Sequence, residues 1–147
     1  MVEKRIRGVS AAALNRFAGR AQRAAGLRGR VSILVTGSTE LRRLNRRFRR
    51  KNKPTDVLSF PAQGKGVAGD IAISAEVAAK NARRFGHPAA AEVKILILHG
   101  LLHLAGLDHD HPRDRGRMSR REEALRHQLG LPASLIQRSS ARAGKRS

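Results

Sequence analysis

Three histidines in one short segment are the residues of this chain best suited to chemistry. Residues 99–109 read HGLLHLAGLDH, with histidines at positions 99, 103 and 109. On a helix of about 3.6 residues per turn, His99 and His103 lie one turn apart on one face, so both imidazoles can bind one ion. Gly106 tolerates the backbone that ends a helix, and the turned chain can bring His109 back as a third ligand. The spacing predicts a metal site.

The predicted ligands are three neutral nitrogens, which suit zinc and leave a fourth position for water, as in catalytic zinc sites. The chain has no cysteine to close a structural site. Metzincin proteases share this spacing but carry a glutamate base directly after the first histidine, where this chain has Gly100. The pattern therefore indicates a zinc hydrolase and leaves peptide hydrolysis in doubt. The alternative is a buried helix whose histidines are satisfied by hydrogen bonds.

The composition is strongly basic, with 31 Lys and Arg against 11 Asp and Glu and a formal net charge of +20. This balance favours a polyanionic partner, either nucleic acid or an anionic membrane, and arginine makes bidentate phosphate contacts. Part of the excess can equally belong to a solvated surface. The basic N-terminus lacks the apolar run of a secretory signal, and the longest apolar stretch is too short to span a bilayer. We expect a soluble intracellular protein that binds nucleic acid.

The rest of the chain alternates helical and strand patterns around one apolar helix. That helix opens at Pro88 and is apolar nearly all round, which is typical of a helix in the middle of a domain. Ser119 and Glu122 resemble a capping box and predict the start of a last helix after a charged loop over 108–118. The predicted helices cover 10–25, 38–52, 74–85, 88–105 and 119–130, and the predicted strands cover 31–36, 56–60 and 70–73.

The strand pattern predicts that 56–60 and 70–73 pair in antiparallel fashion across a glycine-bearing loop. A fourth strand is not obvious, and either 53–56 or 2–7 can supply it. Residues 1–136 are expected to form a single α/β (α+β) domain whose central buried helix carries the metal ligands. Residues 137–147 lack periodicity and are predicted to be a basic, disordered tail.

Several segments resemble landmarks of the YbeY family, the bacterial rRNA maturation factors. HGLLHLAGLDH is similar to the family's H-G-x-L-H-L-x-G-[YF]-D-H signature, with Leu107 at the usual aromatic position. LNRRFRRKNKPTDVLSFP, at 44–61, resembles an L-N-x-x-[YF]-R segment followed by K-x-T-D-V-L-S-F-P. GDIAIS, at 69–74, resembles a G-D-I-x-I-S strand. The landmarks appear in the family's order from about residue 31 to residue 131, and the tail and high basicity exceed the usual pattern.

The resemblance implies a mixed sheet of about four strands packed with about five helices. It also implies a zinc-dependent endoribonuclease specific for single strands, with one Zn²⁺ on His99, His103 and His109. Arg49 matches the arginine of the L-N-x-x-[YF]-R segment and is the implied catalytic partner of a zinc-activated water or a polarised phosphate. Without the resemblance, Arg49 is one more surface arginine beside Arg46 and Arg47.

The cellular role implied by the resemblance is 16S rRNA 3′ end processing and ribosome quality control in the cytoplasm. The expected partners are ribosomal RNA, the small ribosomal subunit and its assembly proteins, with no membrane and no DNA specificity.

Two other functions fit part of the pattern. One is an RNA-binding ribosome-assembly factor that zinc stabilises and that has no catalysis of its own, which a protein side chain as fourth zinc ligand would favour. The other is a metalloprotease-like hydrolase, which activity on casein without activity on RNA would favour. Asp108 either orients a histidine or caps the turn. The remaining histidines, at 87, 111 and 127, are expected at the surface.

Overall fold

The computed structural model describes residues 9–49, 57–61, 66–106 and 112–132, without the side chains of 48, 49 and 112–115. Five helices and three strands occupy these ranges, and the predicted α+β class is confirmed. In chain order they are α1 (Ala11–Ala25), β1 (Arg30–Thr36), α2 (Ser38–Arg49), β2 (Val57–Pro61), β3 (Val67–Ser74), α3 (Ala75–Phe85), α4 (Ala89–Leu104) and α5 (Pro112–Leu129).

The three strands form one mixed sheet in the order β1-β3-β2. β1 runs parallel to β3, with Ile33 opposite Ile71, and β2 runs antiparallel to β3, with Ser59 opposite Ile71. The antiparallel pairing predicted for the second and third strands is confirmed. Both segments suggested for a fourth strand, 53–56 and 2–7, lie outside the described residues, as does the predicted tail.

The two faces of the sheet carry different helices, because side chains alternate between the faces along each strand. Ile71 and Ile73 of β3 share an apolar cluster with Phe17 of α1 and with α4. Ala72, between them in sequence, packs with Leu58 of β2 and Leu41 of α2. α4 and α2 therefore lie on opposite faces. β3 is buried along most of its length because both of its faces are covered.

α4 is the central element, as predicted, and it contacts α1, α3, α5, β2 and β3. Its buried residues lie all round the helix, from Glu92 to Leu102. Pro88 is the N-cap rather than the first helical residue, with an extended backbone at φ −62° and ψ 149°. Within the described ranges, no helix has the length and apolar character needed to cross a membrane.

The predicted start of α5 at Ser119 is wrong, because the helix begins at Pro112 and places Ser119 and Glu122 in its interior. Glu122 is 1% exposed and contacts His99 and Arg126, so it does not serve as a capping residue. Pro112 is the residue that indicates the true start, because proline is favoured in the first turn of a helix, and the capping-box interpretation did not use it. Met118 and Leu125 pack against Leu98 and Leu102, and this stripe anchors α5 to α4.

Candidate metal centre

His99 and His103 are brought together as the sequence predicts, on the last two turns of α4. Their Nε2 atoms lie 3.0 Å apart, and the two rings meet at an interplanar angle of 65°. Two imidazole nitrogens bound to one tetrahedral zinc at about 2.0–2.1 Å would stand about 3.3 Å apart. The observed pair is within a few tenths of an ångström of that separation. Both residues therefore fit the role of nitrogen ligands to a single ion.

Glu122 completes this arrangement, and the sequence interpretation missed it as a site residue. Its Oε1 lies 3.1 Å from Nδ1 of His99, and its side chain is almost wholly buried. When Nδ1–H donates to this carboxylate, the lone pair of Nε2 faces His103, which is the tautomer that a metal ligand needs. The sequence does contain a signal that Glu122 is buried, because it lies at helical spacing between the apolar residues Met118 and Leu125.

Arg126 holds the carboxylate of Glu122 from the other side. The Nε atom of Arg126 lies 3.7 Å from Oε2 of Glu122, and its Nη1 donates to the carbonyl of Pro132 at 3.2 Å. The side chains of Glu122 and Arg126 are each about 1% exposed. Because a buried charge needs an opposite charge nearby, each of the two compensates the charge of the other. The chain His99–Glu122–Arg126 thus links the candidate ligands to the C-terminal half of α5.

Gly100, the residue after His99, faces the β-sheet. A Cβ on Gly100 would lie 2.9 Å from Cγ2 of Ile71 and 3.0 Å from its Cδ1. The carbonyl of Gly100 accepts a hydrogen bond of 3.3 Å from the hydroxyl of Ser59, which ties β2 to α4. A glutamate at position 100 would be directed into β3, so this packing leaves no room for the general base of a metalloprotease.

The turn that follows the pair has the predicted glycine conformation. Gly106 has φ 97°, and its N–H donates to the carbonyl of His103 at 3.0 Å. His109, the third predicted ligand, lies outside the described residues, as do Asp108 and His111. In the part of the chain that the structure describes, no three His, Cys, Asp or Glu side chains form a group able to hold a metal. His109 as a ligand therefore stays a prediction.

Arg49 is the last residue of α2, and its side chain is outside the description. Its helix lies on the face of the sheet opposite to α4. A guanidinium from this position therefore has to pass the edge of the sheet, or extend beyond its end, to approach His99 and His103. The catalytic role of Arg49 stays a prediction.

Two further histidines can be compared with their predicted places at the surface. His127 is exposed, as expected. His87 is not, because its Nε2 lies 2.7 Å from Oε1 of the fully buried Glu92 and its side chain is only 10% exposed. His87 lies in the turn between α3 and α4, and this turn places its ring beside Glu92. The contact stabilises the junction of the two helices, and His87 is not part of the candidate centre.

Comparisons with known proteins identify the family that this chain resembles. The sequence model of the family described as "YbeY: Endoribonuclease YbeY" matches residues 1–130. The "Endoribonuclease YbeY" of Koribacter versatilis is 56% identical over 145 residues, which cover 99% of this chain and 94% of that protein. The protein of the same name from Solibacter usitatus is 52% identical over 126 residues, covering 86% and 84% of the two chains.

A solved structure has the same overall architecture. The solution structure of TM1509 from Thermotoga maritima matches with a TM-score of 0.59 and 27% sequence identity, covering 88% of this chain and 89% of that one. The family match extends over both the histidine pair and the helix that carries Glu122. The chain belongs to the YbeY endoribonuclease family.

Proposed function

We propose that this protein is a zinc-dependent endoribonuclease that cuts single-stranded RNA. The observation that carries the proposal is the convergence of the two Nε2 atoms at 3.0 Å, with Nδ1 of His99 on the buried Glu122. Hydrogen-bond partners of this kind orient histidine ligands in metal sites. Membership of a family described as endoribonucleases supports RNA as the substrate.

In this proposal His99, His103 and His109 hold one Zn²⁺. When bound, zinc supplies Lewis-acid polarisation of the substrate phosphate and of water. Glu122 keeps the imidazole of His99 in the ligating tautomer, and Arg126 keeps that carboxylate in place. Gly100 lets α4 pack closely on β3, so that the histidine pair is held on a rigid, buried helix.

Arg49 is proposed as the second catalytic group. Its guanidinium would neutralise charge that develops on the phosphate as the bond to the leaving oxygen breaks. The match of Arg49 to the family's arginine supports this role.

The proposed setting is the maturation of ribosomal RNA in the cytoplasm, at the 3′ end of the 16S RNA, together with ribosome quality control. The small ribosomal subunit and its assembly proteins would be the partners. The net charge of +20 supports a polyanionic partner of this kind.

The first experiment is cleavage of a structured RNA with single-stranded ends by the purified full-length protein. Native protein, His103→Ala and Arg49→Glu are compared, each with and without a chelator. His127→Ala and Arg46→Glu are the matched controls, because both residues are exposed on helices. We expect the native protein and the controls to cut, and the two site variants and the chelated protein to lose at least about a hundredfold in rate.

The outcomes separate the candidate functions. Equal cutting by all samples would identify a contaminating nuclease and refute the catalytic assignment. RNA binding without cutting, by native protein loaded with zinc, would favour the ribosome-assembly factor. Cutting that survives Arg49→Glu alone would leave the metal centre in place and remove Arg49 from the mechanism.

A further inference from the structure

A groove of about 500 Å³ lies beside the candidate centre, between the C-terminal ends of α1 and α4 and the middle of α5. Its apolar lining consists of Ala25, Leu102, Ala105 and Ala124, of which Leu102 is buried and both Ala105 and Ala124 are exposed. Leu102 on α4 and Ala105, its C-cap, flank His103, each within about 3 Å of it along the helix axis. The groove therefore begins at the same helix end as the histidine pair, on an adjacent face.

Three arginines form the rim of this groove. Arg117, Arg120 and Arg121 follow one another at helical spacing on α5, so their side chains share one face. Among the described residues that line the groove, none is acidic. The two acids in this stretch of α5 lie on other faces of the helix, since Glu122 is buried against His99 and Glu123 is exposed and does not line the groove.

One of the arginines also has a structural role. The Nη2 atom of Arg121 donates to the carbonyl of Ala24 at 3.1 Å and so caps the C-terminal turn of α1. This bond ties Arg121 to α1. A groove lined by guanidinium groups and by apolar side chains matches a nucleotide unit, whose phosphate is anionic and whose base and ribose present flat or apolar surfaces.

We propose that this groove binds the sugar–phosphate backbone of the RNA substrate a few nucleotides from the bond that is cut. Arg117 and Arg120 contact phosphate oxygens, and the apolar side chains that line the groove contact the ribose or base. The groove thereby fixes the register of the strand on the histidine pair. This inference rests on the proposed function for the identity of its ligand.

The test uses the double variant Arg117→Gln/Arg120→Gln of the full chain, which leaves the bond from Arg121 to Ala24 intact. The matched control is Lys80→Gln/Arg83→Gln on α3. Both residues are exposed, and this variant also loses two positive charges. Binding to a fluorescent 20-nucleotide oligouridylate is measured by anisotropy on a His103→Ala background, so that cleavage does not intervene. Cleavage kinetics are measured on the native background, and thermal melting checks the fold of each variant.

We expect the groove variant to bind RNA about tenfold or more weakly than the control, with KM raised and kcat within about threefold of native. The plot of log Kd against log salt should lose a slope of about 1.4, since each single-strand phosphate contact contributes about 0.7. Equal weakening in both double variants would show that only total charge matters and would refute the groove. Equal binding of polyglutamate, lost in the groove variant alone, would instead assign the groove to an acidic protein.

Failure of the groove is distinguishable from failure of the proposed function. If native protein does not cut RNA but the binding contrast between the two double variants persists, the groove stands as an RNA site and the catalytic proposal falls. If native protein cuts RNA and the two double variants bind and cut alike, the catalytic proposal stands and the groove falls.

Discussion

At the scale of single residues, the candidate centre includes a buried carboxylate that contacts His99 and is not one of the predicted metal ligands. The contact of 3.1 Å between Glu122 and Nδ1 of His99 selects the tautomer with a free Nε2 lone pair. Arg126 compensates the buried charge of Glu122 across 3.7 Å. The candidate centre is therefore built from α5 as well as from the helix that carries the histidines.

The variant Glu122→Gln tests the role of this carboxylate. The amide loses the negative charge that strengthens the hydrogen bond and compensates Arg126, and we expect zinc affinity to fall by about 10–100-fold. Affinity is measured by competition with a chromophoric chelator. Glu123→Gln, a neighbouring exposed glutamate, is the control and should bind zinc like the native protein. Unchanged affinity in a folded Glu122→Gln protein would show that the carboxylate does not support the ligand.

At the scale of elements, the close approach of α4 to β3 sets the direction in which the histidines point. Gly100 allows this approach, since a Cβ there would meet Ile71 at 2.9–3.1 Å. The hydrogen bond from Ser59 to the carbonyl of Gly100 fastens the edge strand β2 to the same turn. A helix forced away from the sheet would carry His99 and His103 with it.

The paired variants Gly100→Ala and Gly116→Ala test this packing. Alanine is intrinsically better than glycine in a helix by about 1 kcal/mol, but overpacking costs about 1–3 kcal/mol. We expect the free energy of unfolding to fall by about 1 kcal/mol for Gly100→Ala. It should rise by about 0.5–1 kcal/mol for Gly116→Ala, where the nearest atom is the mobile end of Arg120. Urea unfolding measures both, and a gain in stability at both positions would contradict the packing argument.

At the scale of the whole molecule, the net charge of +20 acts on folding and on binding in opposite directions. Like charges repel one another in the compact state and destabilise it, whereas a polyanion is attracted and releases counterions when it binds. Salt screens both effects.

We therefore expect the melting temperature to rise as sodium chloride increases from about 0.05 to 0.5 M, while RNA affinity falls steeply over the same range. Differential scanning fluorimetry and anisotropy, run on the same protein samples, measure the two trends. A log–log slope of RNA affinity near zero would contradict binding through the phosphate backbone. A melting temperature that falls with salt would show that ion pairs outweigh the repulsion.

Local signals in the sequence were sufficient for much of this molecule. The caps at Ser10 and Ser74 and the glycine turn at Gly106 depend on a few neighbouring residues, so they are readable without the fold. The spacing of His99 and His103 fixes one shared helix face by helical geometry alone. The apolar circumference of α4 likewise placed it at the centre of the domain.

Contacts between residues far apart in sequence were decided only by the tertiary structure. Glu122 meets His99 across 23 positions, and Gly100 meets Ile71 from another element, so neither contact has a local pattern. Glu122 was mistaken for a capping residue because its spacing from Ser119 fits a helix start as well as a helix interior. Composition and periodicity determined which residues share a helix face. Packing alone determined which buried partner each face meets, and therefore which carboxylate orients His99.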